Sequence, residues 1–97
     1  MNVGIIKFTI RMPANQSLKD KRKVVHSLCQ KLRNTFGISV AEVESNDNLK
    51  IGVIGISFVS NSTQILDQIV AQILSYLREH SGDFVLVDFQ QDIIAGF

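Results

Sequence analysis

The sequence predicts one α+β domain whose secondary-structure elements follow the order βαββαβ. Four β-rich segments, the first of which alternates between apolar and polar residues from Ile6 to Arg11, are interrupted by two segments with apolar residues at helical spacing. The length agrees, because 97 residues suffice for one hydrophobic core but not for two ordinary domains, so we assign residues 1–97 to a single domain. Right-handed crossovers would place both helices on one face of a four-stranded antiparallel sheet, which is the ferredoxin-like arrangement.

The first strand and first helix are predicted from alternation and from capping residues. In residues 3–12 every second side chain is apolar, as in a half-buried strand. Ser17, followed three residues later by Asp20, resembles a capping box and starts a helix, which Gly37 ends as a C-cap glycine. The apolar positions of this helix fall within about 100° of arc, as expected for a helix that lies on a sheet: Leu18, Val25, Leu28, Cys29, Leu32 and Phe36.

The second half of the chain predicts a hairpin, a helix and a last strand. Residues 38–44 and 49–60 are β-rich and are joined by a Ser-Asn-Asp-Asn turn. Residues 60–63 offer several candidate N-caps for a second helix, whose broad apolar face runs to about His80. A further turn leads into residues 84–92, which are predicted to form the fourth strand.

Composition excludes several classes of protein. Apolar residues make up 45% and charged residues 20% of the chain, which is typical of globular domains and not of disorder. The longest apolar runs are a handful of residues, whereas a membrane span needs about 20, so neither a transmembrane helix nor a membrane partner is predicted. We also predict no signal peptide. A lone cysteine, Cys29, suits a reducing compartment and predicts a cytoplasmic location.

The net charge of +1 conceals a strong asymmetry along the chain. Residues 1–40 hold eight of the ten Lys and Arg residues against a single acid, Asp20, and therefore carry a net charge of +7. Residues 41–97 hold two basic residues against eight acids and carry −6. The distribution of charge is therefore the main clue to function.

Most of the positive charge lies on one flank of the first helix. A cation in the first turns of a helix interacts unfavourably with the helix macrodipole and costs roughly a few tenths of a kcal/mol. A helix selected only for stability would therefore carry acids there. The helix start, with its free amides, is therefore a candidate anion site for RNA phosphates, the alternative being a solvated or subunit-pairing face. The candidate contacts are Lys19, Lys21, Arg22, Lys23, His26 and Arg33 on this helix, with Lys21 on its apolar arc, and Lys7 and Arg11 on the helix-free sheet face.

No arrangement of residues predicts catalysis, a metal or a cofactor. Cys29 and His26 are three residues apart on the first helix, which is the minimum for thiolate activation, but Cys29 lies on the apolar arc and is predicted to be a buried packing residue. The exposed aromatic residues of base-stacking sheets are missing from the first and third strands. Asp88 and Asp92 on the last strand are expected to form cross-strand ion pairs with Lys7 or Arg11.

Several segments are similar to those of a known family. The helix start Ser-Leu-Lys-Asp-Lys-Arg-Lys at residues 17–23, the strand Ser-Val-Ala-Glu-Val at residues 39–43 and residues 55–61 resemble the YlxP-like family of small bacterial proteins. The resemblance covers nearly the whole chain and implies a ferredoxin-like fold without an assigned biochemical function. Members are often encoded beside translation and ribosome-maturation factors, so the resemblance also implies a role with RNA or ribosomes.

The leading hypothesis is a non-enzymatic binding module that contacts structured RNA or a ribosomal particle through its basic first helix. It depends on the charge asymmetry. The alternative is a homo-oligomeric structural or protein-interaction module that uses the open sheet face, since an uncovered face with apolar content often meets a partner. No cofactor is expected in either case.

Overall fold

The six predicted elements form one antiparallel sheet with two helices packed on one side of it. The computed structural model describes all 97 residues. The strand order is β2-β3-β1-β4, so that β1 and β3 are central and β2 and β4 are the edge strands. This confirms the βαββαβ order. The elements are β1 (Asn2–Arg11), α1 (Leu18–Phe36), β2 (Ser39–Glu44), β3 (Ile51–Ser60), α2 (Thr63–Glu79) and β4 (Val85–Ile94).

Both ends of α1 are capped by the residues that the sequence indicates. The hydroxyl of Ser17 accepts a hydrogen bond from the Asp20 backbone N–H at 3.1 Å. The Asp20 carboxylate in turn accepts from the N–H of Gln16 at 2.9 Å, one residue before the position used in a standard capping box. Gly37 has a φ of 62°, and its N–H donates to the Arg33 carbonyl at 2.8 Å, so a residue in the left-handed region ends the helix.

The core lies between the sheet and the two helices. β1 contributes Ile6, Phe8 and Ile10, which are all buried, and their neighbours Lys7 and Arg11 are exposed on the other side. The predicted alternation of β1 is therefore confirmed. The other core residues come from every element except β4 and from three connecting segments: Val25, Leu28, Cys29 and Leu32 of α1, Val40 of β2, Ile54, Ile56 and Phe58 of β3, Leu66, Val70, Ile73 and Leu77 of α2, and Met12, Ile38 and Phe84 between elements.

Strand β4 is longer than predicted. It continues to Ile94 instead of ending near Asp92, because β1 keeps pairing with it as far as Val3, which lies opposite Ile94. A register shift between Thr9 and Ile10 of β1 places one extra residue in β4, so that Asp88 is opposite Thr9 while Leu86 is opposite Ile10.

The predicted ion pairs between β4 and β1 are absent, and that expectation was wrong. Lys7 faces Gln90 of β4 in the sheet register, and Arg11 faces Val85. The Lys7 ammonium instead lies 3.4 Å from Glu44 Oε1 on β2, and Arg11 makes no ion pair.

Neither helix has both the length and the hydropathy that a membrane span requires.

Candidate functional site

The largest recess on the molecule is a basic groove between α1 and the edge strand β2. It has a volume of about 730 Å³. Its lining combines the basic side chains of the first helix with small apolar side chains and one acid: Lys19, Arg22, Lys23, His26, Arg33, Val25, Cys29, Ala41 and Glu42. Five of the eight predicted phosphate contacts therefore lie together in this groove.

The helical period explains why these five residues converge. The positions Lys19, Lys23, His26 and Arg33 recur at helical spacing, and Arg22 lies three residues before the apolar position Val25. The neighbouring arc of α1 is buried against the sheet, so the basic flank borders the sheet beside β2, beyond which the sheet has no further strand. Sequence periodicity alone predicted the flank, and the position of β2 turns that flank into a groove.

The groove cations have no acidic partners in the chain. The ion pairs of the structure are Lys7 with Glu44 and Lys21 with Glu42, so Lys19, Arg22, Lys23 and Arg33 each lie more than 4 Å from any carboxylate oxygen. Arg33 donates a hydrogen bond to the Val40 carbonyl at 2.7 Å, which holds its guanidinium against β2. Positive charge is therefore concentrated at one place without internal neutralisation.

Lys21 does not belong to this basic surface, which corrects its prediction as a phosphate contact. Its side chain is buried, with the whole residue only 1% exposed. Its ammonium lies 2.8 Å from Glu42 Oε2 and donates a hydrogen bond to the Ser45 carbonyl. The apolar arc of α1 carries Lys21 into the core side of the helix, where the acid on β2 compensates its charge instead of a phosphate.

Glu42 is the residue that sequence reasoning missed. It lies on the helix side of β2, opposite Ile54 of β3, and it lines the groove while it pairs with Lys21. Two signals were available. The alternation of Val40 and Glu42 puts an acid at a core-facing strand position, and Lys21 puts a base on the apolar arc of a helix. Each is unfavourable alone, and the two together indicate a buried ion pair.

Lys7 and Arg11 lie on the opposite side of the sheet from the groove. Both side chains are exposed on the face that has no helices, as predicted. Because the sheet separates them from α1, they cannot contact the same segment of a phosphate backbone as Lys19 or Arg33. The eight predicted contacts therefore divide into a groove of five, a pair on the open face and one buried lysine.

Cys29 and His26 both line the groove, but nothing couples them chemically. No hydrogen bond joins the Cys29 thiol to the His26 imidazole, and Cys29 is buried. Burial raises the pKa of the Cys29 thiol above its ordinary value, the Arg33 guanidinium opposes this shift, and the Glu42 carboxylate adds to it. A thiolate nucleophile needs a lowered pKa, so this environment is unfavourable to one. No three His, Cys, Asp or Glu side chains cluster as metal ligands would.

The raised pKa makes Cys29 a slow target for alkylation. We expect iodoacetamide at neutral pH to modify the folded protein at least about tenfold more slowly than the urea-unfolded protein, because both burial and protonation suppress the thiolate. Mass spectrometry over time measures the rate, and Cys29→Ala provides the blank because the chain has no other cysteine. Equal rates in the folded and unfolded states would contradict the raised pKa.

The fold and the groove define a ferredoxin-like α+β protein that bears a cationic, partly apolar groove beside its first helix. The family model described as "Protein of unknown function (DUF503)" matches residues 3–91. The chain therefore belongs to the DUF503 family.

Comparison with solved structures supports the fold. The chain is similar to a dimeric ferredoxin-like protein from an uncultured marine organism, with a TM-score of 0.50 and 7% sequence identity. The alignment covers 100% of this chain and 99% of the other, so the ferredoxin-like prediction is confirmed. A search of the curated proteins gives no match.

Proposed function

We propose that this protein is a non-enzymatic binding protein that docks its basic groove on the phosphate backbone of structured RNA, free or in a ribosomal particle. The observation that carries the proposal is the set of groove cations without acidic partners, led by Lys19, Arg22 and Lys23. Unpaired cations at the start of α1 oppose the helix macrodipole, and a bound phosphate would remove this cost.

Three further points support the proposal. Several segments resemble the YlxP-like family, and on that basis we place the chain among the YlxP-like members of DUF503. The resemblance implies a relation to translation factors. A cytoplasmic location, which the lone Cys29 favours, would give access to ribosomal RNA. The groove lining contains no Phe, Tyr or Trp, which favours contacts to phosphates over base stacking, so binding would be only weakly sequence-specific.

The salt dependence of RNA binding tests the proposal. Four permanently charged groove residues, Lys19, Arg22, Lys23 and Arg33, would release about 0.9 counterions for each duplex phosphate that they neutralise. We expect log K to fall with log salt concentration with a slope of about −3 to −4 for the wild type. Changing Lys19, Arg22 and Lys23 together to Gln should reduce the slope to about −1. Filter binding of a labelled pool of structured ribosomal RNA fragments measures both slopes.

A matched triple variant controls for net charge. Arg11, Lys31 and Arg78 are exposed and lie outside the groove, so their change to Gln removes the same charge without altering the groove. This control should keep most of the wild-type slope. If the control loses as much of the slope as the groove variant, or if the groove variant binds RNA as the wild type does, the groove is not the RNA site.

A homo-oligomeric structural or protein-interaction module on the open sheet face is the second candidate. The observation that favours it is the set of large apolar side chains exposed on that face: Ile5, Val43, Val59, Val85 and Ile94. No helix of the chain covers them. The protein of similar fold described above is dimeric, which supports a dimer here as a proposal.

A further inference from the structure

The exposed apolar side chains of the open sheet face are not spread evenly over it. The register places Val59 of β3 opposite Val3 of β1, and Val3 opposite Ile94 of β4. Directly paired residues of antiparallel strands share one face of a sheet, so these three side chains form an apolar row across three strands. Val59 is 63% exposed and Ile94 is 50% exposed. Ile5, the next outward residue of β1, is also exposed and extends the row.

The part of the apolar row formed by Val3, Val59 and Ile94 is also the part of the open face without a charged side chain. Charged side chains begin one step further along the strands, with Asp92 opposite Ile5, and continue to the far end of the face, where Arg11 lies opposite Val85. The whole face carries both signs in nearly equal number, namely Lys7, Arg11, Glu44, Asp88 and Asp92. Such a face neither attracts a polyanion strongly nor repels a copy of itself.

We propose that the apolar row is the contact by which a second copy of this chain stacks its open sheet face on this one. The inference rests on the second candidate function and specifies which part of the face lies at the centre of the contact. A face that pairs with itself by two-fold symmetry contributes the same patch from both copies, so an uncharged apolar row needs no complementary surface elsewhere. Two sheets stacked in this way would lie about 10 Å apart.

The dimensions of the open face suit a second copy better than a smaller partner. With strands about 4.8 Å apart and a rise of about 3.3 Å per residue, four strands of at most 10 residues span a flat area on the order of 600 Å². Specific protein complexes bury about 1,200–2,000 Å² in total, so two copies reach the lower end of this range when most of each open face takes part in the contact. An extended peptide laid along one strand would leave most of the row exposed.

Stacking by the open face leaves both helices of each copy on the outside of the dimer. The charged residues of the basic groove lie on α1 and on the helix side of β2, so they stay accessible in both copies. A dimer would therefore present two basic grooves at once.

A pair of lysine substitutions tests where the contact lies. Val59→Lys places an ammonium in the apolar row, and Val85→Lys makes the same change at the other end of the same face, where Val85 is 45% exposed. Both residues are exposed, so neither change should disturb the core, and far-UV circular dichroism checks this. Sedimentation equilibrium over a dilution series then gives the dissociation constant of the dimer against the 10.8 kDa monomer mass.

We expect a wild-type dimer whose dissociation constant rises by about 100-fold or more with Val59→Lys, because symmetry buries the unpaired charge twice. Val85→Lys should raise the dissociation constant by no more than about tenfold, because Val85 lies at the periphery of the contact, where the lysine ammonium can still reach water. If Val85→Lys weakens the dimer as much as or more than Val59→Lys, the proposed location is overturned while the dimeric function stands. A wild-type monomer at all concentrations, or a dimer that neither change weakens, overturns both.

Discussion

Replacing Lys21 with alanine is expected to lower the free energy of unfolding by about 3–5 kcal/mol. The Lys21 ammonium is buried beside the β2–β3 hairpin. It forms an ion pair with the Glu42 carboxylate and donates a hydrogen bond to the Ser45 carbonyl. Without the ammonium, the mostly buried Glu42 carboxylate and the Ser45 carbonyl lose their partner, and desolvation of a charged group without compensation is costly. Urea unfolding at neutral pH measures the loss.

Two further variants test whether the loss of stability in Lys21→Ala comes from breaking the ion pair. Lys31→Ala removes a lysine from the exposed side of the same helix and should change the free energy of unfolding by at most about 0.5 kcal/mol. The double change of Lys21→Met with Glu42→Gln removes both charges and keeps the side-chain volumes, so it should recover most of the stability that Lys21→Ala loses. If Lys21→Ala costs less than about 1 kcal/mol, the buried ion pair is not a determinant of stability.

Phe58→Ala is expected to lower the free energy of unfolding by about 3–5 kcal/mol, because the Phe58 ring fills a space on the neighbouring strand β1. Gly4 of β1 is paired with Phe58 of β3, and a Cβ added at Gly4 would lie 2.5 Å from Phe58 Cε2. The phenyl ring therefore occupies the place of the missing Gly4 side chain. Its removal leaves a cavity that neither residue can refill, which favours the upper end of the range.

The same contact predicts that the effect of Gly4→Ala on the free energy of unfolding depends on which residue occupies position 58. In the wild type the added methyl group meets the buried Phe58 ring, and we expect a loss of about 1–3 kcal/mol. With Phe58→Ala already present, Gly4→Ala should be neutral or should stabilise by up to about 1 kcal/mol, because alanine restricts the unfolded strand more than glycine does. A double-mutant cycle by urea unfolding measures the coupling. Additive effects, within about 0.5 kcal/mol, would show that the ring does not occupy the glycine position.

The two surfaces of the molecule have different physical characters. The basic groove is cationic and has no internal partners, so the interactions proposed for it depend on salt. The apolar row itself contains no charged side chain, so its association should depend only weakly on salt. They lie on opposite sides of the sheet, and a variant of one should leave the other unchanged. Salt titration of RNA binding and of dimerisation can therefore be interpreted independently.

Prediction from the sequence was most accurate for features that depend on neighbours along the chain. Ser17 and Gly37 cap α1 as expected, because a cap needs only residues three or four positions away. The alternation of β1 assigned its buried and exposed sides correctly for the same reason. The basic flank of α1 also follows from helical spacing alone, which places five basic residues on one side of the helix.

Prediction was least accurate for features that depend on strand register or on the packing of a helix against the sheet. Lys7 was expected to pair with an acid of β4, but it faces Gln90 and pairs with Glu44 of β2 instead. Lys21 was assigned to the phosphate-binding surface, although the apolar arc on which it lies indicated burial. Its partner Glu42 is 21 residues away in the chain, and nothing within one helix could identify it.

The sequence by itself determined the order of the elements, the ends of α1 and the flank that bears its positive charge, since local periodicity and capping encode all three. Only the tertiary structure decided which of those charges are free. The crossing of α1 over β2 buries Lys21 against Glu42 and leaves Lys19, Arg22 and Lys23 around an open groove. The register of β1 with its two neighbours likewise brings Val3, Val59 and Ile94 into one row. Contacts between distant segments depend on the packing of whole elements, and periodicity within one element does not specify them.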